Sequence, residues 1–426
     1  MLDIKFIREN EDVVREAIKN KNEKDHLNEL LDLDSKRREL LKIVENLKFQ
    51  KNKASDEVAK LKREGKDINE IISQMKKVSD EITKYDKELD QVDNKINDLL
   101  LRIPNIPHNS VPIGSDASQN VVIRAWAPDD YNYDLKNENF LDHLSLGKRL
   151  KILDFERGAK ISGSGFPVYV GKGATLERAL INFMLDCHLK KHGYQEIFPP
   201  FLVNRNSMIG TGQIPKLEKD MYHCVEDDLF PIPTAEVPIT NFYRDEILRE
   251  EDLPVKFVGY SPCFRREAGS YGKDQKGFLR VHQFNKVEMV KFVKPENSYD
   301  ELESLVNDAE YILKELKIPY RVILLCTGDL SFSAAKCYDI EVWAPVEKKY
   351  LEASSCSNFE SFQARRANIR FRRNNTGKLE FVHTLNGSGL ATSRLMVSIL
   401  ENYQTPDGNV VVPEVLRKYT GFDVID

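Results

Sequence analysis

The chain has 426 residues, a formal net charge of −5 and 41% hydrophobic residues. This length allows two or three domains with a sizeable core. The slightly acidic balance argues against a protein that coats nucleic acid through bulk positive charge, although a local basic surface stays open. The charged start, MLDIKFIREN, is unlike a signal peptide, and no apolar run approaches membrane-spanning length. The six scattered cysteines form no CxxC pair, so we expect reduced thiols in a cytoplasmic protein without a membrane partner.

The first hundred residues carry the apolar repeat of a coiled coil. Apolar residues advance by three and four in two runs: Leu30, Leu33, Leu40, Val44, Leu47, Ala54, Val58 and Leu61, and then Ile68, Ile71, Met75, Val78, Ile82, Tyr85, Leu89, Val92, Ile96 and Leu99. Gly65 is the only glycine between Leu27 and Leu100, and that span contains no proline. The sequence therefore predicts an antiparallel helical hairpin over about 27–100, each helix about 50 Å long, with its turn at 63–67.

Basic residues concentrate near the predicted tip of this hairpin. Between Lys48 and Lys77 there are nine Lys and Arg residues against five Asp and Glu residues. A solvated helix face explains such a run, and so does a surface for a nucleic-acid backbone, which basic side chains contact without reading sequence. The residues leave both interpretations open.

A proline-rich linker is predicted over 104–116, because Pro104, Pro107 and Pro112 bar a continuing helix. It separates an N-terminal domain, 1–103, from a C-terminal domain, 117–426. In the second domain short β-rich runs alternate with helical windows, which predicts an α+β fold on a mainly antiparallel sheet. The runs are Pro254–Val258, Phe278–Val293, Tyr320–Leu325 and Asp339–Ala344, and the windows are Thr175–His192, Tyr299–Leu316 and Leu390–Tyr403.

The stretch CFRREAGSYGKDQKGFLRVHQFNKVE, residues 263–288, crowds charge and glycines among apolar residues. We interpret it as part of a hairpin with strands at about Pro254–Glu267 and Phe278–Val293 and a glycine-rich loop at Ala268–Gly277. Because side chains alternate along a strand, Leu279, Val281, Val287, Met289 and Val293 should form an apolar face, and Arg265, Glu267, Arg280, His282, Phe284, Lys286 and Glu288 a polar one. Cross-strand ion pairs would also explain the polar face.

Three further segments share this mixture of charge and backbone breakers. IPTAEVP, residues 232–238, sets Thr234 and Glu236 between prolines, and YLEASSCSNFESFQARR, residues 350–366, places Glu352 at the end of an apolar run. HTLNGSGLATSRLMVSIL, residues 383–400, feeds a helix from a Gly-Ser-Gly turn and carries Arg394 among apolar neighbours. A buried arginine is costly unless it meets an anion or a ring face. A loop and two helix caps explain each segment alone; together the segments indicate a site for ATP or another anion.

These segments, in this order and over the whole length, resemble those of bacterial-type seryl-tRNA synthetases, which are class II aminoacyl-tRNA synthetases. The hairpin resembles that family's tRNA-binding arm. GYQEIFPPFLV, residues 193–203, resembles the first class II motif, with Pro200; residues 263–288 resemble the second, and GSGLATSR the third. PTAE and EASSCSNFESFQARR are close to the serine-specific segments. One departure is Thr392-Ser393 before Arg394, where many relatives have a smaller pair.

The resemblance implies a class II antiparallel sheet flanked by helices and a reaction in two steps. The serine carboxylate attacks the α-phosphate of ATP, which gives seryl-adenylate and pyrophosphate. A ribose hydroxyl at the 3′ end of tRNA(Ser) then takes the seryl group; tRNA(Sec) stays open as a second acceptor. The resemblance further implies Mg²⁺ as cofactor, a homodimer joined through the first motif, and no DNA partner.

The resemblance also assigns roles to residues. Arg265 would bridge the α-phosphate and the serine carboxylate, and Glu267 would accept a hydrogen bond from the adenine amino group. Phe284 and Arg394 would sandwich the adenine ring. Arg265, Glu267 and Arg394 are thus the expected catalytic residues. The other expected contacts are Thr234, Ala235, Glu236, Glu288, Asn386 and Ser388 for serine, and Arg266, Val281, Glu352, Ala353, Ser354 and Ser355 for ATP, with Glu352 and Ser355 also holding Mg²⁺.

Two alternatives remain beside this interpretation. A synthetase-like ligase could load an amino acid onto a carrier protein, although such an enzyme has no use for a tRNA-binding arm. A coiled-coil scaffold could carry a domain that binds a nucleotide without catalysis. Serine-dependent pyrophosphate exchange separates the scaffold from both enzymes, and tRNA charging separates the two enzymes.

Overall fold

The computed structural model describes residues 1–133, 140–267 and 277–426. Most of the predicted loop at Ala268–Gly277 therefore lies outside the described residues. The chain divides into two compact units: one contains Leu2–Lys19 and Glu23–Pro104, and the other contains Met1, Asn20–Asn22 and Asn105–Asp426. The described part of the chain contains no helix with the length and apolar composition of a membrane span. All six cysteines are free thiols.

Four helices begin the chain, and the last two form a long hairpin. They are α1 (Ile4–Glu9), α2 (Glu11–Asn20), α3 (Leu27–Arg63) and α4 (Asn69–Leu100). The repeat packs as predicted: Leu40, Val44 and Leu47 are buried on α3, and Val92 and Ile96 on α4. Towards the turn the apolar residues are only half-buried. Gly65 adopts a φ of +69°, a conformation that glycine tolerates and most residues do not. The predicted helical hairpin is confirmed.

The second unit is built on an eight-stranded sheet with helices packed against it. Its helices are α5 (His143–Arg149), α6 (Phe155–Ser162), α7 (Lys172–Lys191), α8 (Arg205–Thr211), α9 (Glu236–Thr240), α10 (Ser298–Glu315), α11 (Phe362–Ala367), α12 (Thr392–Asn402) and α13 (Glu414–Thr420). Its strands are β1 (Val121–Trp126), β2 (Leu153–Asp154), β3 (Val168–Tyr169), β4 (Gln195–Glu196), β5 (Leu202–Asn204), β6 (Leu229–Pro231), β7 (Ile247–Arg249), β8 (Val255–Phe264), β9 (Gln283–Val293), β10 (Tyr320–Leu324), β11 (Lys336–Ala344), β12 (Lys349–Asn358), β13 (Arg370–Arg372), β14 (Leu379–Phe381), β15 (His383–Ala391), β16 (Val410–Val411) and β17 (Val424–Ile425).

The main sheet has the spatial order β1-β10-β11-β12-β15-β9-β8-β4. Every neighbouring pair in it is antiparallel except β4 and β8. Helices α7, α10 and α12 bury apolar side chains in the core beside this sheet; on α10 Leu302, Leu305, Val306 and Ala309 recur at helical spacing and are fully buried. The predicted antiparallel α+β fold is confirmed, and strands β9, β12 and β15 lie side by side at its centre.

The predicted hairpin around residues 263–288 is shorter than expected. Its strands are β8 and β9, and they end their pairing at Phe264 and Gln283. Glu267 has a φ of +51°, and Gly277–Leu279 forms a turn of 3₁₀ helix. Strand alternation therefore fails between 278 and 282, where the backbone is not pleated. Leu279 and Val281 are nevertheless buried in the same core cluster as Val287, Met289 and Val293, as predicted for the apolar face, but they reach it from a turn and also line the cavity beside Arg280.

Candidate active site

A cavity of about 570 Å³ opens over strands β9, β12 and β15 and the start of α12. It gathers side chains from segments far apart in sequence. The predicted site residues that line it are Thr234, Glu236, Arg265, Glu267, Val281, Phe284, Glu352, Ala353, Ser354, Ser355, Asn386, Ser388 and Arg394. Three predicted residues do not line it. Ala235 and Glu288 are 0% exposed, and Glu288 is hydrogen-bonded to Thr234 and Asn386, which do line the cavity. Arg266 is exposed to solvent.

A β-bulge on β12 places Glu352 and Ser355 on one wall. The ladder pairs Ile340 with Ser354 and Glu341 with Glu352, so Ala353 is the extra residue. In a regular strand residues 352 and 355 would point to opposite faces, because side chains alternate. The inserted residue shifts the alternation by one, so that both side chains face the cavity.

One end of the cavity is a buried polar cluster around Glu288. The Glu288 carboxylate accepts hydrogen bonds from Thr234 Oγ1 at 3.1 Å and from Asn386 Nδ2 at 3.2 Å. Its ion-pair partner is the ammonium group of Lys286, which also donates to Thr234 Oγ1 at 3.0 Å. Glu288 is 0% exposed. Because each member is bonded to another, the cluster is rigid, and it presents hydroxyl and amide groups to a small polar ligand.

Glu236 lies at the same end and resists ionisation. Burial, and then the charge of Glu288, raise the pKa of Glu236 to about 7. Gln363 donates to its carboxylate at 2.6 Å. Two carboxyl groups that repel each other in a buried pocket make a favourable site for a ligand cation, because its positive charge relieves both.

The other end of the cavity combines arginines with an aromatic ring. The guanidinium carbon of Arg265 lies 5.1 Å from the ring centroid of Phe284, and Arg265 Nε donates to the Pro233 carbonyl at 3.4 Å. Arg280 donates to Glu267 at 2.7 Å. These groups offer a planar donor for an anion and a ring face for an aromatic ligand.

Arg394 joins this end to the wall of β12. It is the third residue of α12, and its guanidinium donates to the Glu352 carboxylate and to the Glu352 carbonyl, each at 3.1 Å. Its Nε donates to the Leu279 carbonyl at 3.3 Å. The expected stacking of the adenine ring between Phe284 and Arg394 stays a prediction. In the structure the guanidinium group of Arg265 lies over the Phe284 ring.

Two titratable residues, one lining the cavity and one next to its wall, received no role from the sequence. Strand alternation had placed Lys286 on the predicted polar face of β9 with Phe284 and Glu288, and this pattern could have identified it as a site residue. Asp339 is opposite Ser355 across the ladder; burial and the charge of Glu352 raise its pKa well above the usual range. Asp339 alternates with apolar residues on β11, and only the pairing of β11 with β12 reveals that it lies opposite Ser355.

Comparison with known proteins places these features in a family. The profile of the seryl-tRNA synthetase N-terminal domain matches residues 1–107, and that of the class II tRNA synthetase core domain (G, H, P, S and T) matches residues 220–403. A serine–tRNA ligase from Chloroherpeton thalassium is 60% identical over 429 residues, covering 100% of both chains.

Two solved structures are similar over the whole chain. Seryl-tRNA synthetase from Pyrococcus horikoshii, complexed with ATP, has a TM-score of 0.93 at 40% identity, covering 100% of this chain and 99% of the other. Cytoplasmic serine–tRNA ligase from Naegleria fowleri, in complex with AMP, has a TM-score of 0.86 at 29% identity, with the same coverage.

Proposed function

The chain belongs to the seryl-tRNA synthetase family, and from that premise we propose how its own residues divide the reaction among them. It is a class II aminoacyl-tRNA synthetase that activates serine with ATP and transfers the seryl group to tRNA. We assign tRNA binding to residues 1–103, a linker to residues 104–116 and catalysis to residues 117–426. The match to the seryl-tRNA synthetase N-terminal domain supports tRNA, and not a carrier protein, as the acceptor.

The polar cluster around Glu288 is the proposed serine pocket. Its carboxylate and the Asn386 and Ser388 groups would surround the serine hydroxyl, while Thr234 and Glu236 would bind the ammonium group. Alanine lacks the hydroxyl and would leave buried polar groups unpaired, at a cost of about 1–3 kcal/mol each. The paired carboxylates support this assignment, because they favour a bound cation.

The arginine end is the proposed ATP site. Arg265 would contact the α-phosphate and the serine carboxylate, which suits its planar fork of donors. Glu267 would accept from the adenine amino group, with the ring between Phe284 and Arg394. The carboxylate of serine is itself the nucleophile, so these residues need only bring it to the α-phosphate and neutralise the charge that develops.

Glu352 and Ser355 fit a Mg²⁺ ion, which prefers hard oxygen ligands. Asp339 supports this assignment: burial, and then the charge of Glu352, raise its pKa, and a nearby cation would relieve the repulsion between the two carboxyl groups. When bound, Mg²⁺ supplies neutralisation of phosphate charge. The side chains of Glu352 and Ser355 would supply oxygen ligands, and Arg394 on α12 holds the Glu352 carboxylate through a hydrogen bond.

The α3–α4 hairpin is the proposed tRNA-binding arm, since a rigid hairpin with a basic tip at 48–77 suits contact with a folded RNA backbone. We predict that replacing Lys48–Lys77 by a short turn leaves serine-dependent pyrophosphate exchange intact and abolishes most tRNA charging. Normal charging by this variant would show that the arm tip does not contact tRNA. Charging assays with tRNA(Ser) and tRNA(Sec) also decide whether both are acceptors.

We also propose that the enzyme works as a homodimer in the cytoplasm, where tRNA is charged. The segment after α7 supports the dimer, because Phe198 is 72% exposed and Leu202 is 50% exposed, and exposed apolar groups near each other mark interaction surfaces. Sedimentation of the full chain tests this proposal, and a monomer at micromolar concentration would contradict it.

The observation that supports these roles is that one cavity contains both a pocket lined by hydroxyl and carboxylate groups and an arginine–aromatic slot. The direct test is ATP–pyrophosphate exchange with serine, alanine, threonine and cysteine. Exchange should depend on serine and fall sharply with the other three. Equal exchange with alanine would contradict the assignment of the hydroxyl pocket.

A further inference from the structure

Strand β15 loses its regular pairing at the point where it crosses the cavity. Its ladder with β9 runs to Ser388, opposite Glu288, and resumes only at Ala391, opposite Lys286. Gly389 and Leu390 lie in this irregular segment. The residues before it, Asn386 and Ser388, belong to the proposed serine pocket, whereas Ser393 and Arg394 after it line the ATP end. The conformation of the segment therefore sets how the two ends of the cavity lie relative to each other.

Helix α7 supplies hydrogen-bond partners to this segment. His188 Nε2 lies 2.8 Å from the Gly389 carbonyl oxygen, and the Leu390 amide donates to Met184 Sδ at 3.1 Å. Met184 and His188 are one helical turn apart and share a face of α7. Buried backbone groups that leave a ladder need such partners, because an unpaired one is costly.

The hydrogen-bond partners of His188 determine which of its two ring nitrogens carries the proton. A carbonyl oxygen only accepts, so Nε2 carries the proton and donates to Gly389. Nδ1 is then an acceptor, and it lies 3.0 Å from His192 Nδ1, which donates to it. Asp308 lies 3.8 Å from His192 Nδ1, beyond hydrogen-bond distance, and its carboxylate accepts from the Tyr194 hydroxyl at 2.8 Å. Burial lowers the pKa of His188 to about 3, so the ring stays neutral in this one tautomer.

Close contacts on the backbone of Gly389 and Ser388 restrict the position of this segment of β15. A Cβ at Gly389 would lie 2.4 Å from His188 Nε2, so the backbone approaches the ring more closely than a side chain would permit. On the opposite side Ser354 Oγ donates to the Ser388 carbonyl at 2.6 Å. His188 and Ser354 thus hold consecutive carbonyl groups from two different elements.

We propose that His188 is a positioning residue for the serine pocket: by donating to the Gly389 carbonyl it fixes Asn386 and Ser388 against the ATP end of the cavity. The inference rests on the proposed assignment of those two residues and Glu288 to the serine hydroxyl. His188 does not line the cavity, so its effect reaches the substrate through the backbone of β15. Loss of the donor should therefore weaken serine binding and leave the ATP contacts largely in place.

The test compares His188→Leu, which removes the donor, with His188→Gln, whose amide keeps an N–H group near the position of Nε2. We expect His188→Leu to raise the serine KM about tenfold in pyrophosphate exchange, the value for one lost hydrogen bond. The ATP KM should change less than twofold. His188→Gln should recover most of the serine KM.

The variant Phe183→Leu is a control that distinguishes loss of α7 stability from displacement of the serine pocket. Phe183 is on α7 but packs against Tyr419, with ring centroids 6.3 Å apart, so this variant should lower the Tm and leave both KM values unchanged. Equal increases in the serine and ATP KM values of His188→Leu would indicate a merely structural role and overturn the inference. If His188→Leu does not fold, His188→Asn replaces it. The shorter amide cannot reach Gly389, and a serine KM equal to that of His188→Gln overturns the inference.

Glu288→Gln, measured in parallel, separates this inference from the pocket assignment. If Glu288→Gln raises the serine KM and His188→Leu does not, only the positioning role is wrong. If neither variant changes the serine KM, the assignment of the serine pocket itself fails, and the positioning role with it.

Discussion

Replacing Glu288 by alanine should impair serine recognition far more than ATP binding. The carboxylate is 0% exposed and accepts hydrogen bonds from Thr234 and Asn386, both of which line the cavity. No other acidic group is bonded to either side chain among the described residues. In the proposed complex the serine hydroxyl donates a hydrogen bond to the Glu288 carboxylate. Alanine at position 288 has no acceptor group, so this hydrogen bond is lost.

The size of the effect follows from this contact. A hydrogen bond to a charged group contributes about 1.5–3 kcal/mol. At about 1.4 kcal/mol for each factor of ten, the serine KM should rise about 10- to 150-fold in pyrophosphate exchange, and the preference for serine over alanine should fall by a similar factor. The ATP KM should stay within about threefold of its original value, because the adenine and phosphate contacts lie at the other end of the cavity.

Protein stability must be separated from binding in this variant. Glu288→Ala leaves the ammonium group of Lys286, which is 5% exposed, without its carboxylate, and breaking a buried pair costs about 3–5 kcal/mol of unfolding free energy. In the double variant Glu288→Ala/Lys286→Met both charges are absent, so much of the stability should return while the serine KM stays high. A normal serine KM in either variant would refute the assignment of Glu288 to the serine hydroxyl.

Three further predictions address the ATP end, the metal and the pH dependence of stability. Phe284→Leu should raise the ATP KM about three- to tenfold and leave the serine KM unchanged, because one ring face is lost; equal changes in both constants would contradict the proposed ring stacking. Glu352→Gln should raise the Mg²⁺ concentration needed for half-maximal exchange, and an unchanged Mg²⁺ titration would contradict a ligand role. Burial raises the pKa of Glu177 from 4.5 to about 7, so this group destabilises the fold increasingly as the pH rises through that interval. Unfolding measured across it should show Glu177→Gln gaining relative stability up to about the upper pKa and no further; a constant difference would contradict a buried, protonated Glu177.

The helical arm was predictable because its signal is local and repeated. The apolar seam recurs at heptad spacing through both runs, and Gly65 marks the turn; α3 and α4 begin and end close to the predicted bounds. The faces of β9 were predictable for the same reason. From Gln283 onwards the strand is regular, so alternation correctly placed Phe284, Lys286 and Glu288 on one side.

The remaining site geometry depends on non-local structure. The bulge at Ala353 is visible only once β12 is paired with β11, and no periodic pattern in residues 350–358 shows that Glu352 and Ser355 share a wall. The turn at Gly277–Leu279 likewise overrides alternation. Asp339 and His188 were missed because their partners come from other elements: Asp339 faces Ser355 only once β11 pairs with β12, and His188 reaches the Gly389 carbonyl only once α7 packs against β15.

The central claim is that Arg265, Glu288, Glu352 and Arg394 act on one ligand that spans the cavity. A crystal structure with a non-hydrolysable seryl-adenylate analogue tests it most directly. The account predicts the adenine ring on Phe284, the linkage between the two moieties at Arg265, and the seryl hydroxyl within hydrogen-bond distance of the Glu288 carboxylate. An analogue bound with its seryl group away from Glu288, or outside this cavity, would contradict it.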